Sequence, residues 1–166
     1  MAEQENGAQA AAEKQFLIQK IYLKDISFES PNSPKSFLVK EWNPEVNVQV
    51  GNAAVKVGDD TYEVALTITV TATQDKQTLY LAEVQYAGIF SLSGLDPEEL
   101  QHALGAYCPN LLLPYIRETV SDLVSKGGFP QFLLQPINFD ALYLQHRQQQ
   151  EAQAQADGAD TSQNVQ

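Results

Sequence analysis

Polar and apolar residues alternate along much of the first ninety positions, and apolar residues then recur at helical intervals. The cleanest alternation runs from Thr61 to Thr73, with Tyr62, Val64, Leu66, Ile68 and Val70 in one phase and Glu63, Thr67, Thr69 and Thr71 in the other. That period of two predicts a strand with one buried and one wet face. Glu45 to Val50 behaves alike, with Val46, Val48 and Val50 in phase. Phe16 to Phe28 predicts another strand, whose last part sets Ile26 and Phe28 against Asp25, Ser27 and Glu29. Thr78 to Phe90 is less segregated: Leu79, Leu81, Glu83 and Gln85 share one phase, Tyr80, Ala82, Val84 and Tyr86 the other. An apolar Leu81 on a nominally wet phase points to a second contact surface. Gly51-Asn52, Gly58-Asp59-Asp60 and Gln74-Asp75-Lys76 read as punctuation between strands.

From Asp96 the period changes. Asp96 can cap, Pro97 suits the first helical position, Glu99 completes a capping box and Leu95 can staple to Leu100. This predicts a short helix to about Tyr107. A longer helix to Lys126 carries Leu112, Ile116, Val120, Leu123 and Val124 as its apolar stripe, with Pro109 and Pro114 at its front and Gly127-Gly128 as its stop. An apolar loop, GGFPQFLLQPI, leads to a final helix capped by Asn138, with Phe139, Leu142 and Tyr143 on one face. Strands first and helices afterwards predict an α+β fold: a four-stranded antiparallel sheet with helices packed on one face. The expected single domain spans 15–144. Arms at 1–14 and 145–166 hold too little apolar area to offset ordering and read as disordered beyond the end of the last helix.

The stretch Ser30 to Pro44 is too long for a tight turn, and its three prolines argue against a helix. It carries Phe37 and Trp42, which either plug the loop onto the body or wall a groove for an extended apolar peptide.

The 166 residues carry a net charge of −11, and 15–144 alone has 8 Lys and Arg against 15 Asp and Glu, so the acidity is not confined to the tails. Such a surface repels nucleic acid and anionic membranes and favours basic partners. The single cysteine, Cys108, excludes an intramolecular disulfide framework. The acidic start MAEQENGAQAAAEK has neither the basic region nor the apolar core of a signal peptide, and no run reaches the length of a membrane span, so the expected compartment is the cytoplasm. His102, His146 and Cys108 lack zinc-ligand spacing, no phosphate-binding glycine motif occurs, and Asp59-Asp60 and Glu98-Glu99 fall in a turn and a helix start. No metal, cofactor or enzymatic activity is expected.

The runs GAYCPN, DISFESPN, FPQ and PINFDAL resemble the SecB family of bacterial protein-export chaperones, and the resemblance extends from Phe16 to about Gln150. It implies a homotetrameric, ATP-independent holdase that binds unfolded precursor polypeptides and hands them to the SecA motor ATPase. It implies that Asp25, Glu29, Leu81 and Glu83 form a SecA-binding face for a basic, zinc-containing SecA segment. It also implies a client groove from Phe28, Phe37, Trp42, Val46, Val48, Val50, Phe139, Leu142 and Tyr143, and a contact between dimers from Tyr80, Ala82 and Tyr86. The chain departs from the usual family pattern in SFLVKEW, where the stretch before Trp42 is longer, and in its low-complexity tail. The residues alone leave a second reading open, a carrier that holds a small hydrophobic ligand between sheet and helices.

Overall fold

A computed structural model describes residues 13–160. Most of the expected N-terminal arm, and residues 161–166 of the tail, lie outside the described residues. Four strands, β1 (Gln15–Glu29), β2 (Glu45–Gly58), β3 (Thr61–Gln74) and β4 (Gln77–Ser93), form one antiparallel sheet in the order β1-β4-β3-β2. β2 runs straight through Gly51-Asn52, expected to punctuate the chain, because both residues find ladder partners in Thr67 and Leu66 of the strong strand β3. The β3-β4 hairpin turns at Asp75 and Lys76, whose φ angles of 52° and 63° are the positive values a two-residue hairpin requires.

The helical layer starts at α1 (Pro97–His102), where the predicted capping box forms: Asp96 accepts from the Glu99 N–H at 2.8 Å and Glu99 accepts from the Asp96 N–H at 3.1 Å. No break follows. α1 passes through a π turn (Ala103–Tyr107) into α2 (Cys108–Lys126). α2 begins before Leu112, so Pro114 lies inside the helix rather than at its front, leaving one carbonyl of the preceding turn without its helical donor. α3 (Phe139–Asp160) starts where Asn138 Oδ1 accepts from the Ala141 N–H at 3.0 Å. It continues well beyond position 144, correcting the expectation of disorder there; Gln, Ala and Glu are good helix formers. The loop from 30 to 44, expected to hold no helix, contains one short 3-10 turn at Lys35–Leu38.

α2 lies over β4 and β3, burying Leu112, Ile116, Val120 and Val124 against Leu66, Ile68, Val70, Val84 and Phe90. Each such side chain contributes about 1.5–3 kcal/mol by leaving water. These residues are fully buried, so the space between α2 and the strands β3 and β4 is filled with side chains. Helices cover one face only, as the order of elements predicted. The two edge strands are exposed along almost their whole length. No described helix is long and apolar enough to cross a membrane.

Candidate functional site

The register fixes which side chains share the face away from the helices. Glu29 stands opposite Leu81, which stands opposite Thr71; Ser27, Glu83 and Thr69 form the next row, and Asp25, Gln85 and Thr67 the next. Paired residues of antiparallel strands project to the same side, so Asp25, Glu29, Leu81 and Glu83 occupy one contiguous patch on two neighbouring strands. Glu83 accepts from Thr69 Oγ1 at 2.9 Å, and Gln85 Nε2 donates to Thr67 Oγ1 at 2.9 Å, which holds the outer side chains flat against the sheet. The patch has acids, hydroxyls and one leucine, a combination suited to a basic segment with an apolar anchor.

The other half of this face differs from the wet, threonine-rich surface expected. Tyr22 on β1 reaches across β4 to donate its hydroxyl to Glu63 on β3, and Lys24 donates to the same carboxylate. Ala87, between Tyr22 and Ala65 in the row, is fully buried beneath this bridge. Hydrogen bonds from Lys24 and Tyr22 hold the Glu63 carboxyl below its usual range, and the Glu63 bond, with some burial, pushes the Tyr22 hydroxyl up to about 12.

On the helix-covered face, α2 stops short of β2. Val46, Val48 and Val50 therefore remain 36%, 38% and 39% exposed although they lie in the core phase, opposite Ala72, Val70 and Ile68. They floor an open strip along the sheet edge. At one end stands an aromatic cluster around Phe129, whose ring lies 5.0 Å from Phe37, 5.9 Å from Trp42, 5.0 Å from Tyr80 and 6.4 Å from Phe28. The turn ending α2 shapes this cluster. A Cβ on Gly127 would sit 2.3 Å from Phe28 Cζ, and Gly128, at φ 85°, carries the chain round toward Phe37. At the other end an open cavity of about 630 Å³ is lined by Val50, Asn52, Ala54, Leu104, Phe139, Leu142 and Tyr143, with amides and one arginine from α3 and no carboxylate.

Eight of the nine residues expected in a groove thus occupy two ends and a connecting strip. Phe28 departs from the rest: it sits on β1, in the same row as Ala82, Val70 and Val48 but three strands from the valine floor, and serves as packing beneath Phe129. Tyr80 and Ala82 require correction. Both are closed off within the chain, facing the helices in phase with Val84, and have no surface to offer a second molecule. Tyr86 is also on the helix-covered face but only half-buried, 5.7 Å from the exposed Tyr115, with its hydroxyl accepting from Thr119 Oγ1 at 3.3 Å. Among the described residues no cluster of three metal-ligating side chains occurs. Burial pushes the Cys108 thiol up to about 12, and His102 pairs with Asp140 at 2.6 Å, not with the cysteine.

A family profile described as "Preprotein translocase subunit SecB" matches residues 9–150. "Protein-export protein SecB" of Alcanivorax borkumensis is 59% identical over 146 residues, covering 86% of this chain and 92% of that one. The chain belongs to the SecB family. A SecB-like chaperone of Mycobacterium tuberculosis, solved in complex with a ChAD peptide from the HigA1 antitoxin, superimposes with a TM-score of 0.61 at 21% identity, covering 74% of this chain and 90% of that one. That likeness extends the family's fold to a distant sequence.

Within this SecB-family chain, sequence reasoning missed Phe129, Asn52, Ala54 and Leu104. Phe129 carries a usable signal, an aromatic residue directly after the Gly127-Gly128 helix stop. Asn52 and Ala54 were hidden by the reading of Gly51-Asn52 as punctuation between strands, and Leu104 by the division of one continuous helical run into two helices near Tyr107.

Proposed function

We propose that this SecB-family protein is an ATP-independent holdase for unfolded precursor polypeptides. The observation that carries the reading is the open strip over β2. A phase of valines belonging to the core is left half in water, bounded by an aromatic cluster at one end and a carboxylate-free cavity at the other. An extended apolar segment laid there removes surface from water at about 25 cal/mol per Å², less the costs of ordering. Because the contacts are side-chain surfaces and not a shaped pocket, the strip discriminates by hydrophobicity and extension. Capture then needs no nucleotide, and several grooves in a homotetramer add avidity for one long client.

Delivery to SecA is the second part of the proposal. Glu29 and Glu83 flank Leu81 on the opposite face of the sheet and Asp25 lies two rows further along it, so a basic partner segment and a client can be held together without competing for surface. The proposed compartment is the cytoplasm, on the cytoplasmic side of the translocase.

The test is the refolding of a chemically unfolded secretory precursor, diluted without nucleotide in the presence of increasing amounts of the protein. Arrest that saturates at a fixed stoichiometry is the expected result. Unchanged refolding in the presence of folded protein would overturn the holdase reading.

A further inference from the structure

The cavity end of the strip contains a connection that sequence reasoning did not anticipate. In the π turn the Cys108 N–H donates to the Ala103 carbonyl, five residues back. The next donor in that register is residue 109, a proline with no N–H. Leu104's carbonyl is consequently left without a helical partner. Asn52 of β2 supplies one, its Nδ2 donating to Leu104 O at 3.2 Å. The π turn is also where β2 meets the helical layer. On its other side it seats Tyr143 of α3, since a Cβ on Gly105 would lie 2.6 Å from the Tyr143 ring. Asn52, Leu104, Gly105 and Tyr143 all line the same cavity.

We propose that Asn52 is a positioning residue: a strut between the free edge strand and the helical layer that sets the width of the groove at its cavity end, made necessary by Pro109. The inference rests on the reading of the strip as the client site. Its chemistry is specific. Among side chains, one with an N–H or O–H at this reach ties the carbonyl to β2, which the water available at this exposed position cannot do; a carboxylate would face a carbonyl oxygen and push β2 outward, and an alanine would leave the carbonyl to water and the strand free to drift.

The test combines Asn52→Ala, Asn52→Asp and Pro109→Ala. Pro109→Ala restores a backbone N–H for Leu104, so the strut becomes redundant. The probe is fluorescently labelled, reduced and carboxamidomethylated lysozyme, a permanently unfolded polypeptide, and the readout is its dissociation rate. Asn52→Ala should accelerate release about three- to tenfold, the range set by one hydrogen bond, and Asn52→Asp more. In the Pro109→Ala background Asn52→Ala should have no further effect. If its effect persists undiminished there, Asn52 touches the client directly and the strut is refuted; no effect in the parent refutes it too. A second readout needs no client: paired spin labels at Gln49 on β2 and Asn110 on α2, in protein diluted with unlabelled chains. Their separation should broaden in Asn52→Ala and stay narrow in the double variant. Should the parent fail to hold the probe, the client-site reading falls, while the spin-label separation still decides the strut.

Discussion

Replacing Phe129 with leucine removes a ring and keeps most of the apolar volume, which separates the aromatic cluster from simple burial. Phe129 is 5% exposed and holds four rings within 6.4 Å, two of them at 5.0 Å. Ring pairs at such separations contribute about 0.5–1.5 kcal/mol each beyond their area, and the terms do not add in full. With two pairs near the optimum and two at the margin, Phe129→Leu should lose about 1–3 kcal/mol, and Phe129→Ala about 3–5 kcal/mol because it also leaves a cavity. Urea unfolding followed by circular dichroism, at one protein concentration for all variants, measures the loss. The loop makes the distinctive second readout. Trp42, the only tryptophan, rests against Phe129, so native-state emission of the leucine variant should shift to the red and become more accessible to a neutral quencher. A loss below about 0.5 kcal/mol, a surface-like value, together with unchanged Trp42 emission, would refute the assignment of Phe129 as the platform on which the loop rests.

Reversing charge with Asp25→Lys and Glu29→Lys, both exposed on the outer face, should abolish SecA binding at moderate salt and leave arrest of client refolding intact; retained SecA affinity in a pull-down or titration would remove the acidic patch from the partner surface. Cys108, fully buried with its thiol raised to about 12, should resist alkylation at pH 8 in native protein and react on unfolding; fast native labelling would contradict its place in the core. The raised pKa contributes stability that is complete below the ordinary thiol range, near 8.5, and is lost as pH climbs toward 12, so a Cys108→Ala variant should differ from its parent least in alkali. Glu63, held below the usual carboxylate range by Lys24 and Tyr22, contributes stability above about pH 4.3 that disappears as pH falls through its lowered folded value. Glu63→Gln should therefore be the less stable protein at pH 7 and converge on the parent in acid, as followed by urea midpoints; a constant gap across that range would dissociate the bridge from titration.

The strands were legible wherever one face met the core and the other water. β3 announces itself because Val64, Leu66, Ile68, Val70 and Ala72, one phase of the strand, are all buried on the helix-covered face. β4 was harder, since it is flanked by strands on both sides and covered in part on both faces, so Ala87 and Ala82 are both sealed despite opposite phases. The alternation of β4 therefore gave nothing to weigh against the contact between dimers that the family resemblance implies for Tyr80 and Ala82. The shared outward phase of Asp25 and Glu29 was legible because that alternation is local, whereas their approach to Leu81 and Glu83, and the layout of the groove, depend on pairings between segments distant in the chain and came only from the family resemblance. Phe129 meets Trp42 and Phe37 across a loop, and Asn52 meets Leu104 through a carbonyl whose availability depends on a proline five residues further on. Neither relation leaves a period in the sequence.

β1 pairs with β4 through two irregularities, one between Ile18 and Lys20 and one between Leu23 and Asp25. Each takes up one residue, so the inward side chains fall at Phe16, Ile18, Ile21, Leu23, Ile26 and Phe28, in steps of two and three. A strictly regular strand that kept Leu23 inward would turn Asp25 inward as well. The bulge at Lys24 is thus what lets one strand place Leu23, Ile26 and Phe28 on the helix side of the sheet and its acids on the outer face. It also dictates where the chain can change length over evolutionary time. Deleting a residue between Leu23 and Ile26, or adding one, exchanges the two surfaces along the rest of the strand, whereas the loop from 30 to 44 can lengthen without disturbing either. A strand whose two phases face different surroundings has its indels confined to such segments, and lineages of this fold should drift in the loop and the tails while β1 keeps its count.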